Sequence, residues 1–251
     1  MIVHSVYKPL KSSGLIPVEI VDSLLSLVGL TGTLVMPVIR KYPESPSEDE
    51  ALTKDISNTV FEYNVKESKV WTGIIPKTLM NKEEALTSRI PINTLTALGP
   101  DASEMFKDEL NDELPAPNGK HSAWKYCVDK DAWVISLGTD LTHSLTMIHT
   151  AVYVKKDKWP VQNWYRKKNF KIMDGDFQIE KIVLERHPRW GMLQFGERTL
   201  SKDLIRDGVI KSKEIEGVLV ESLKSSVLFD YLNNKNQNGY PYFWIKKYLK
   251  K

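Results

Sequence analysis

The stretch MIVHSVYKPLKSSGLIPVEIVDSLLSLVGLTGTLVMPVI, residues 1–39, decides the fold class. MIVHSV reads as the end of a strand, and the loop after it carries KSSG, small and polar with a closing glycine. In PVEIVDSLLSLVG the apolar residues Ile20, Val21, Leu24, Leu25, Leu27 and Val28 recur at helical spacing, with Pro17 in the first turn and Gly29 as a stop. GTLVMPVI is a second strand. Strand, loop, helix and strand make a βαβ unit, which calls for a right-handed crossover and puts the loop at the carboxyl end of the first strand. The expectation is α/β.

Outward from that unit, residues 42–60 (YPESPSEDEALTKDISNTV) are rich in Pro, Ser and acids and read as a long surface loop. WTGIIPKTLMNKEEALTS reads as a turn and helix, RIPINTLTALG as extended, and DASEMFKDEL as a helix capped by Asp101. SAWKYCVDK reads as a helix, and AWVISLG as a strand buried on both faces. Strands are expected over 170–186 and around 190–195, and helical segments in SKDLIRDG and SSVLFDYLNNK. No internal repeat and no clean linker interrupts the chain, so residues 1–251 are expected to form one α/β domain.

Composition fits a globular unit: 41% hydrophobic and 27% charged residues, without a low-complexity tract. The net charge of +3, from 35 basic and 32 acidic residues, is too balanced for the basic stripe that nucleic-acid binding needs. The basic, aromatic KKDKWPVQNWYRKK is therefore not read as a nucleic-acid module. The single cysteine, Cys127, excludes an internal disulfide and fits a reducing compartment, so a cytoplasmic location is expected. No apolar run reaches membrane-spanning length, and the first residues lack the pattern of a secretion signal.

Several places could carry chemistry. In HSVYKPLKSSG, backbone amides, hydroxyls and a lysine before a helix could hold phosphate, although an ordinary polar turn explains the same residues. Neither G-x-x-x-x-G-K-[ST] nor G-x-G-x-x-G is present. His149, in SLTMIHTAVY, sits between apolar residues, where histidine more often serves structure than catalysis. His143 reads as a loop residue, and the two histidines lack the partners of a metal set, so no metal is expected. No G-x-S-x-G elbow occurs. Cys127 on its helix reads as a small buried apolar residue rather than a nucleophile, and the seven tryptophans serve either core or sugar stacking.

Taken together, these segments resemble the aminoglycoside 3-N-acetyltransferase family. VHSVYKPLKSSG is similar to its early V-H-S-S loop, and IVDSLLSLVGLTGTLVMPVI to its helix followed by G-T-L-V-M-P. TGIIPKTLMNKEEALTSRIPINTLTALGPDA resembles G-x-L-P, R-S-x-x-P-x-[HN]-S and A-x-G-P-D-A in order. SAWKYCVDKDAWVISLGTDLTHSLTMIHTAVY resembles the segment ending in L-G, a polar loop and T-x-x-H-x-x-E, and NGYPYFW the closing P-Y-F. The matches are ordered over residues 3–153 and scattered beyond. The resemblance implies a single-domain α/β/α fold with a mixed central sheet. It also implies an acetyl-CoA-dependent N-acetyltransferase acting on a small-molecule amine, an aminoglycoside or an amino sugar, and leaves a homodimer open.

By that resemblance His149 and Thr146 fall on the catalytic positions, with the histidine as general base. His4 and Ser5 fall on the coenzyme loop, with Lys8, Ser12 and Ser13 beside them, and Ser88 falls on the serine of R-S, its arginine shifted to Arg89. Asn93 and Thr94 fall on the acceptor-side [HN]-S pair, with Asp140 as a further acceptor-side carboxylate. Asp140, Asp174 and Asp176 could orient the imidazole by position. Val152 stands where H-x-x-E places a glutamate, the loop from Gly138 to Thr146 runs about one residue long, as in a polysaccharide-type subgroup, and the family's leading helix is missing, leaving the chain N-terminally short. Val152 motivates an alternative, a catalytically weakened coenzyme-binding or structural member of the same family.

Overall fold

The strand, helix and second strand expected in residues 1–39 all form. The computed structural model describes residues 1–47, 49–141, 144–154, 164–189 and 194–237. β1 (Ile2–Ser5) leads through α1 (Tyr7–Leu10) and a 3-10 turn (Lys11–Ser13) into α2 (Pro17–Val28) and then β2 (Leu34–Pro37). Pro17 opens α2, and Glu19 Oε2 accepts the Ile16 N–H at 2.9 Å, satisfying one of the orphan donors of the first turn. At the other end Gly29 stops the helix with φ +68° and donates its N–H to Leu25 O at 3.0 Å.

β3 (Val60–Asn64), α3 (Ile74–Met80), β4 (Leu86–Thr87), β5 (Leu95–Leu98), α4 (Ala102–Phe106), α5 (Ala123–Asp129) and β6 (Trp133–Leu137) follow. After them come α6 (Ile148–Val154), β7 (Tyr165–Asp174), β8 (Phe177–Arg186), α7 (Gln194–Arg206), β9 (Lys211–Ile215), β10 (Val218–Lys224) and α8 (Ser225–Gln237). A seven-stranded sheet has the order β4-β5-β2-β1-β6-β10-β9. β1 is central and parallel to both neighbours, with Ile2 opposite Val35 and Val134, whereas β5 and β10 run antiparallel to theirs.

The two-residue period of the strands divides the core into two faces. Ile2, Val35, Ala97 and Val134 pack with Trp124 and Cys127 of α5, Ile148 and Ala151 of α6, and Leu228 and Leu232 of α8. Val3, Leu34 and Met36 pack with Ile20, Val21 and Leu24 of α2 and with Ile75 and Leu79 of α3. These are the three layers of an α/β/α fold around a mixed sheet, and each fully buried aliphatic side chain contributes about 1.5–3 kcal/mol.

A second, three-stranded sheet, β3-β7-β8, encloses its own cluster of Phe61, Tyr63, Phe170, Ile172 and Val183. Buried phenols tie it to the extended segment before β5, where Tyr63 Oη donates to Ser88 O at 2.6 Å and Tyr42 Oη to Pro91 O at 2.5 Å.

Four local expectations change. The expected loop of residues 4–14 is mostly helical turn, because after Val6 the backbone closes α1 and the 3-10 turn. Asp101 stands at the N-terminus of α4 without capping it; its backbone is already helical (φ −83°, ψ −8°), and its carboxylate accepts from Tyr126 Oη at 3.1 Å instead. The strand expected around 190–195 is helical from Gln194 onward, residues 190–193 lying outside the described set. The β9–β10 hairpin was not foreseen; it turns at Glu216 and Gly217, both at positive φ (+50° and +78°). Among the described residues no helix is long and apolar enough to cross a membrane.

Candidate active site

Two clusters of the expected residues form at the carboxyl ends of β1 and β6. The first is built on β1. His4, paired with Ser136 of β6, is 5% exposed, and its ring stacks on Trp124 with centroids 6.3 Å apart and planes at 22°. Burial lowers its pKa to about 4, so the ring is neutral. Neither His4 Nε2 nor the buried Ser5 Oγ meets a hydrogen-bond partner among the described residues. A buried polar atom left unpaired costs about 1–3 kcal/mol, and two of them at one strand end mark a place where a polar ligand would be received.

Lys8, Ser12 and Ser13 lie on the exposed helical turns beside that strand end. Ser12 Oγ and Ser13 Oγ donate to the carbonyls of Pro9 and Leu10, at 3.0 and 2.7 Å, so these hydroxyls serve their own turn. Gly138 ends β6 at φ +71°, and a Cβ there would meet Val6 O at 3.0 Å and Pro9 Cβ at 3.1 Å. Glycine is what lets residues 6–9 close over the strand end.

The second cluster holds His149. The loop leaving β6 is pinned from β10, where the buried carboxylate of Glu221 accepts the Leu141 N–H at 2.7 Å and the Ser212 hydroxyl at 3.1 Å. Ser144 Oγ donates to Asp140 O at 3.2 Å. The His149 N–H then donates to Thr146 O at 3.1 Å as α6 begins. Asn118, 3% exposed, holds the same turn from outside: its Nδ2 reaches Thr146 O and Thr150 Oγ1, each at 3.3 Å, and its Oδ1 accepts from Asn93 Nδ2 at 3.2 Å. Asn93 adopts φ +51°, a left-handed conformation that asparagine tolerates better than most residues, and its carbonyl accepts Trp124 Nε1–H at 2.9 Å. Trp124 therefore links the His4 cluster to the His149 cluster.

His149 lines a cavity of about 200 Å3 together with Asn93, Asn118, Trp164, Tyr165, Glu185 and Arg186. Burial first, and the Arg186 charge second, hold its pKa well below 6.5, so it presents a neutral imidazole at neutral pH. Glu185 is gripped by Arg166, through Nη2 at 2.6 Å and Nε at 2.7 Å, and by Lys168 Nζ at 3.4 Å.

The side chains of the remaining expected residues are engaged as follows. Ser88 is buried, its hydroxyl 2.8 Å from both carboxylate oxygens of Glu109, and Thr94 donates to Ile90 O at 3.0 Å. Thr146 Oγ1 donates to Ser144 O at 3.4 Å. Arg89 pairs with Asp174 at 2.8 Å, away from the cavity, and Asp176 stands exposed beside that pair at the β7–β8 turn. Cys127 is buried, with its thiol pushed up to about 12 by burial. The backbone of position 152 continues α6, whereas its side chain, His143 and residues 238–244 lie outside what is described. Among the described residues no group of three or more His, Cys, Asp or Glu could hold a metal.

Asn118, Glu185 and Arg186 are absent from the sequence-based site. Asn118 lies in the irregular PAPNGKH, and Glu185 and Arg186 end a strand; the only hint was the basic, aromatic character of the segment that contains Trp164 and Tyr165.

A family model described as aminoglycoside 3-N-acetyltransferase matches residues 2–234. Among solved structures, AAC-IIIb in a binary complex with CoASH superposes with a TM-score of 0.72 at 16% identity, over 94% of this chain and 89% of that one. The aminoglycoside acetyltransferase AAC(3)-Xa gives 0.72 at 17% identity, over 93% and 84% of the two chains. AAC-VIa bound to sisomicin gives 0.70 at 14% identity, over 96% and 91%. No curated protein matches the sequence. The expected fold and N-acetyltransferase family are borne out.

Proposed function

Because the chain belongs to the aminoglycoside 3-N-acetyltransferase family, we propose that it moves an acetyl group from acetyl-CoA to an amine seated in the cavity beside His149. The observation that carries this reading is a neutral imidazole lining a cavity that also holds a carboxylate. Amines reach an enzyme mostly protonated, and only the free base attacks a carbonyl, so a group that is itself unprotonated must accept the proton.

Acetyl-CoA, when bound, supplies an activated thioester carbonyl. His149 first passes the ammonium proton to solvent, then takes a second proton from the attacking nitrogen as the C–N bond forms and the C–S bond breaks, and returns that second proton to the departing sulfur. Glu185, facing the same space, favours the ammonium form on entry. Asn118 and Glu221 fix the turn that carries the imidazole. The unpartnered His4 Nε2 and Ser5 Oγ, one Trp124 ring away, fit the polar parts of the coenzyme. An amino-sugar acceptor, a homodimer and a cytoplasmic location belong to the same proposal; light scattering tests the dimer.

Release of free thiol from acetyl-CoA with a panel of aminoglycosides and amino sugars tests the activity. His149→Ala is expected to lower kcat on the order of a hundred- to ten-thousand-fold. The acid limb of kcat/KM should lie well below pH 6.5, since the base works only when unprotonated. Unchanged turnover in His149→Ala refutes the assigned base. Coenzyme binding without turnover of any amine would instead favour the weakened member that Val152 suggests.

A further inference from the structure

Resting on the proposed N-acetylation, we propose that Trp124 is a positioning residue that couples the two clusters: coenzyme held at the carboxyl end of β1 steadies, through the indole, the turn that carries His149. Trp124 is not among the residues lining the cavity, so it acts through others. It stands in the first turn of α5, a helix capped by Ser122 Oγ, which accepts the Lys125 N–H at 3.2 Å, and it is 1% exposed. The capped helix fixes where the ring lies.

The contacts run unbroken from one cluster to the other. The His4 ring stacks on the Trp124 ring, and the indole N–H donates to Asn93 O at 2.9 Å. Asn93 Nδ2 donates to Asn118 Oδ1 at 3.2 Å. Asn118 Nδ2 donates in turn to Thr146 O and Thr150 Oγ1, each at 3.3 Å. Thr146 O also accepts the His149 N–H at 3.1 Å, which makes it the last link before the imidazole.

Three features make this path more than packing. Asn93 is one of three non-glycine residues at positive φ among the described residues; Glu216 has that conformation in a hairpin turn and Asp131 just after α5, whereas Asn93 has it on the cavity wall. Such a backbone persists where its surroundings over-determine it, and the indole N–H is the contact that holds the Asn93 carbonyl. The bonds also lengthen toward His149, from 2.9 Å at Trp124 to 3.3 Å at Thr146, so the slack in the path lies beside the proposed base. At the other end, His4 Nε2 and Ser5 Oγ have bonding capacity unused among the described residues. A ligand that engages them restrains the imidazole against which the indole rests, and less motion is then left for the amine to quench. By linkage, the amine strengthens coenzyme binding by the same factor.

Hydrogen exchange over residues 146–150, with and without saturating CoA, tests this without requiring an acceptor, the ratio being taken within each protein. In the parent, CoA should slow exchange there on the order of five- to a hundredfold. Trp124→Phe keeps a ring against His4 and removes the indole N–H; it should still bind CoA, with the slowing reduced to under about twofold. Asn93→Gly keeps the carbonyl and accepts the left-handed backbone while removing the amide link, so it should lose the slowing as well, and it tests the same path should Trp124→Phe not fold. CoA binding that leaves exchange over 146–150 unchanged in the parent overturns the inference and leaves acetyl transfer standing. Equal slowing in the parent and in the folded variants overturns it too. Failure of CoA to bind the parent overturns both the inference and the activity it rests on, whereas slowing that depends on Trp124, in a protein that acetylates no amine, overturns the activity alone.

Discussion

Glu109 is 4% exposed, and burial raises its pKa from 4.5 to about 8, outweighing the hydrogen bonds from Ser88 and the Arg89 N–H. At neutral pH it carries a proton that the unfolded chain would release near 4.5. Between those values the folded state binds one more proton than the unfolded state, so stability falls as pH rises. The contribution is fully present below about pH 4.5 and lost by about pH 8. At about 1.4 kcal/mol per unit, the interval from 4.5 to about 8 corresponds to about 4–5 kcal/mol.

Glutamine matches the protonated acid: its carbonyl can accept from the Arg89 N–H, and its amide can donate to Ser88 Oγ, which itself accepts the Ile90 N–H at 3.0 Å. Glu109→Gln should therefore unfold within about 1 kcal/mol of the parent at pH 5 and be several kcal/mol more stable than it at pH 8. Urea unfolding followed by tryptophan fluorescence at pH 5, 6, 7 and 8 measures both proteins, and other titrating groups cancel in the difference. A difference constant with pH would refute the assignment of a buried, protonated Glu109.

Asn118→Ala removes three long hydrogen bonds, takes away the partner of Thr150 Oγ1 and leaves Thr146 O with the His149 N–H alone. It should cost about 2–4 kcal/mol and lower Tm by roughly 4–16 °C in calorimetry, with kcat reduced more than the KM for acetyl-CoA; an unchanged Tm contradicts the bonding described. Glu221→Gln replaces a charged acceptor of the Leu141 N–H by a neutral one. It should cost about 1 kcal/mol, lower kcat a few-fold and speed hydrogen exchange over residues 139–146, and unaltered exchange there would show that the loop is held some other way.

What the sequence made legible was local. The apolar spacing of Ile20, Val21 and Leu24 gives α2, and the alternation of Ile2 and Val3 gives the two faces of β1. The T-x-x-H pattern points to His149, the proposed base. Pairings across long stretches of chain leave no such mark: β3 lies parallel to β7, Val60 opposite Asn169, and neither segment encodes the other. The β9 strand KSKEI is exposed at every residue, so it carries no buried alternation, and only the Glu216-Gly217 pair signalled its turn. The cavity wall was illegible for the same reason. Asn118 acts through Thr146 and Thr150 of another segment, and Glu185 is defined by cross-strand partners such as Arg166.

The Glu221 contact sets an order on the birth of the site. β1 waits for β6, more than a hundred residues later, before its second edge is paired, and the turn bearing His149 waits longer still, for a carboxylate on β10. A ribosome adds about 5–20 residues per second, so for several seconds the nascent chain holds its imidazole on a turn that nothing from the far edge of the sheet yet fastens. Chains released before Glu221 emerges would carry every residue of the T-x-x-H pattern and still lack its clamp. The support of the proposed base thus comes from a strand well beyond the motif that contains it, which ends at residue 149.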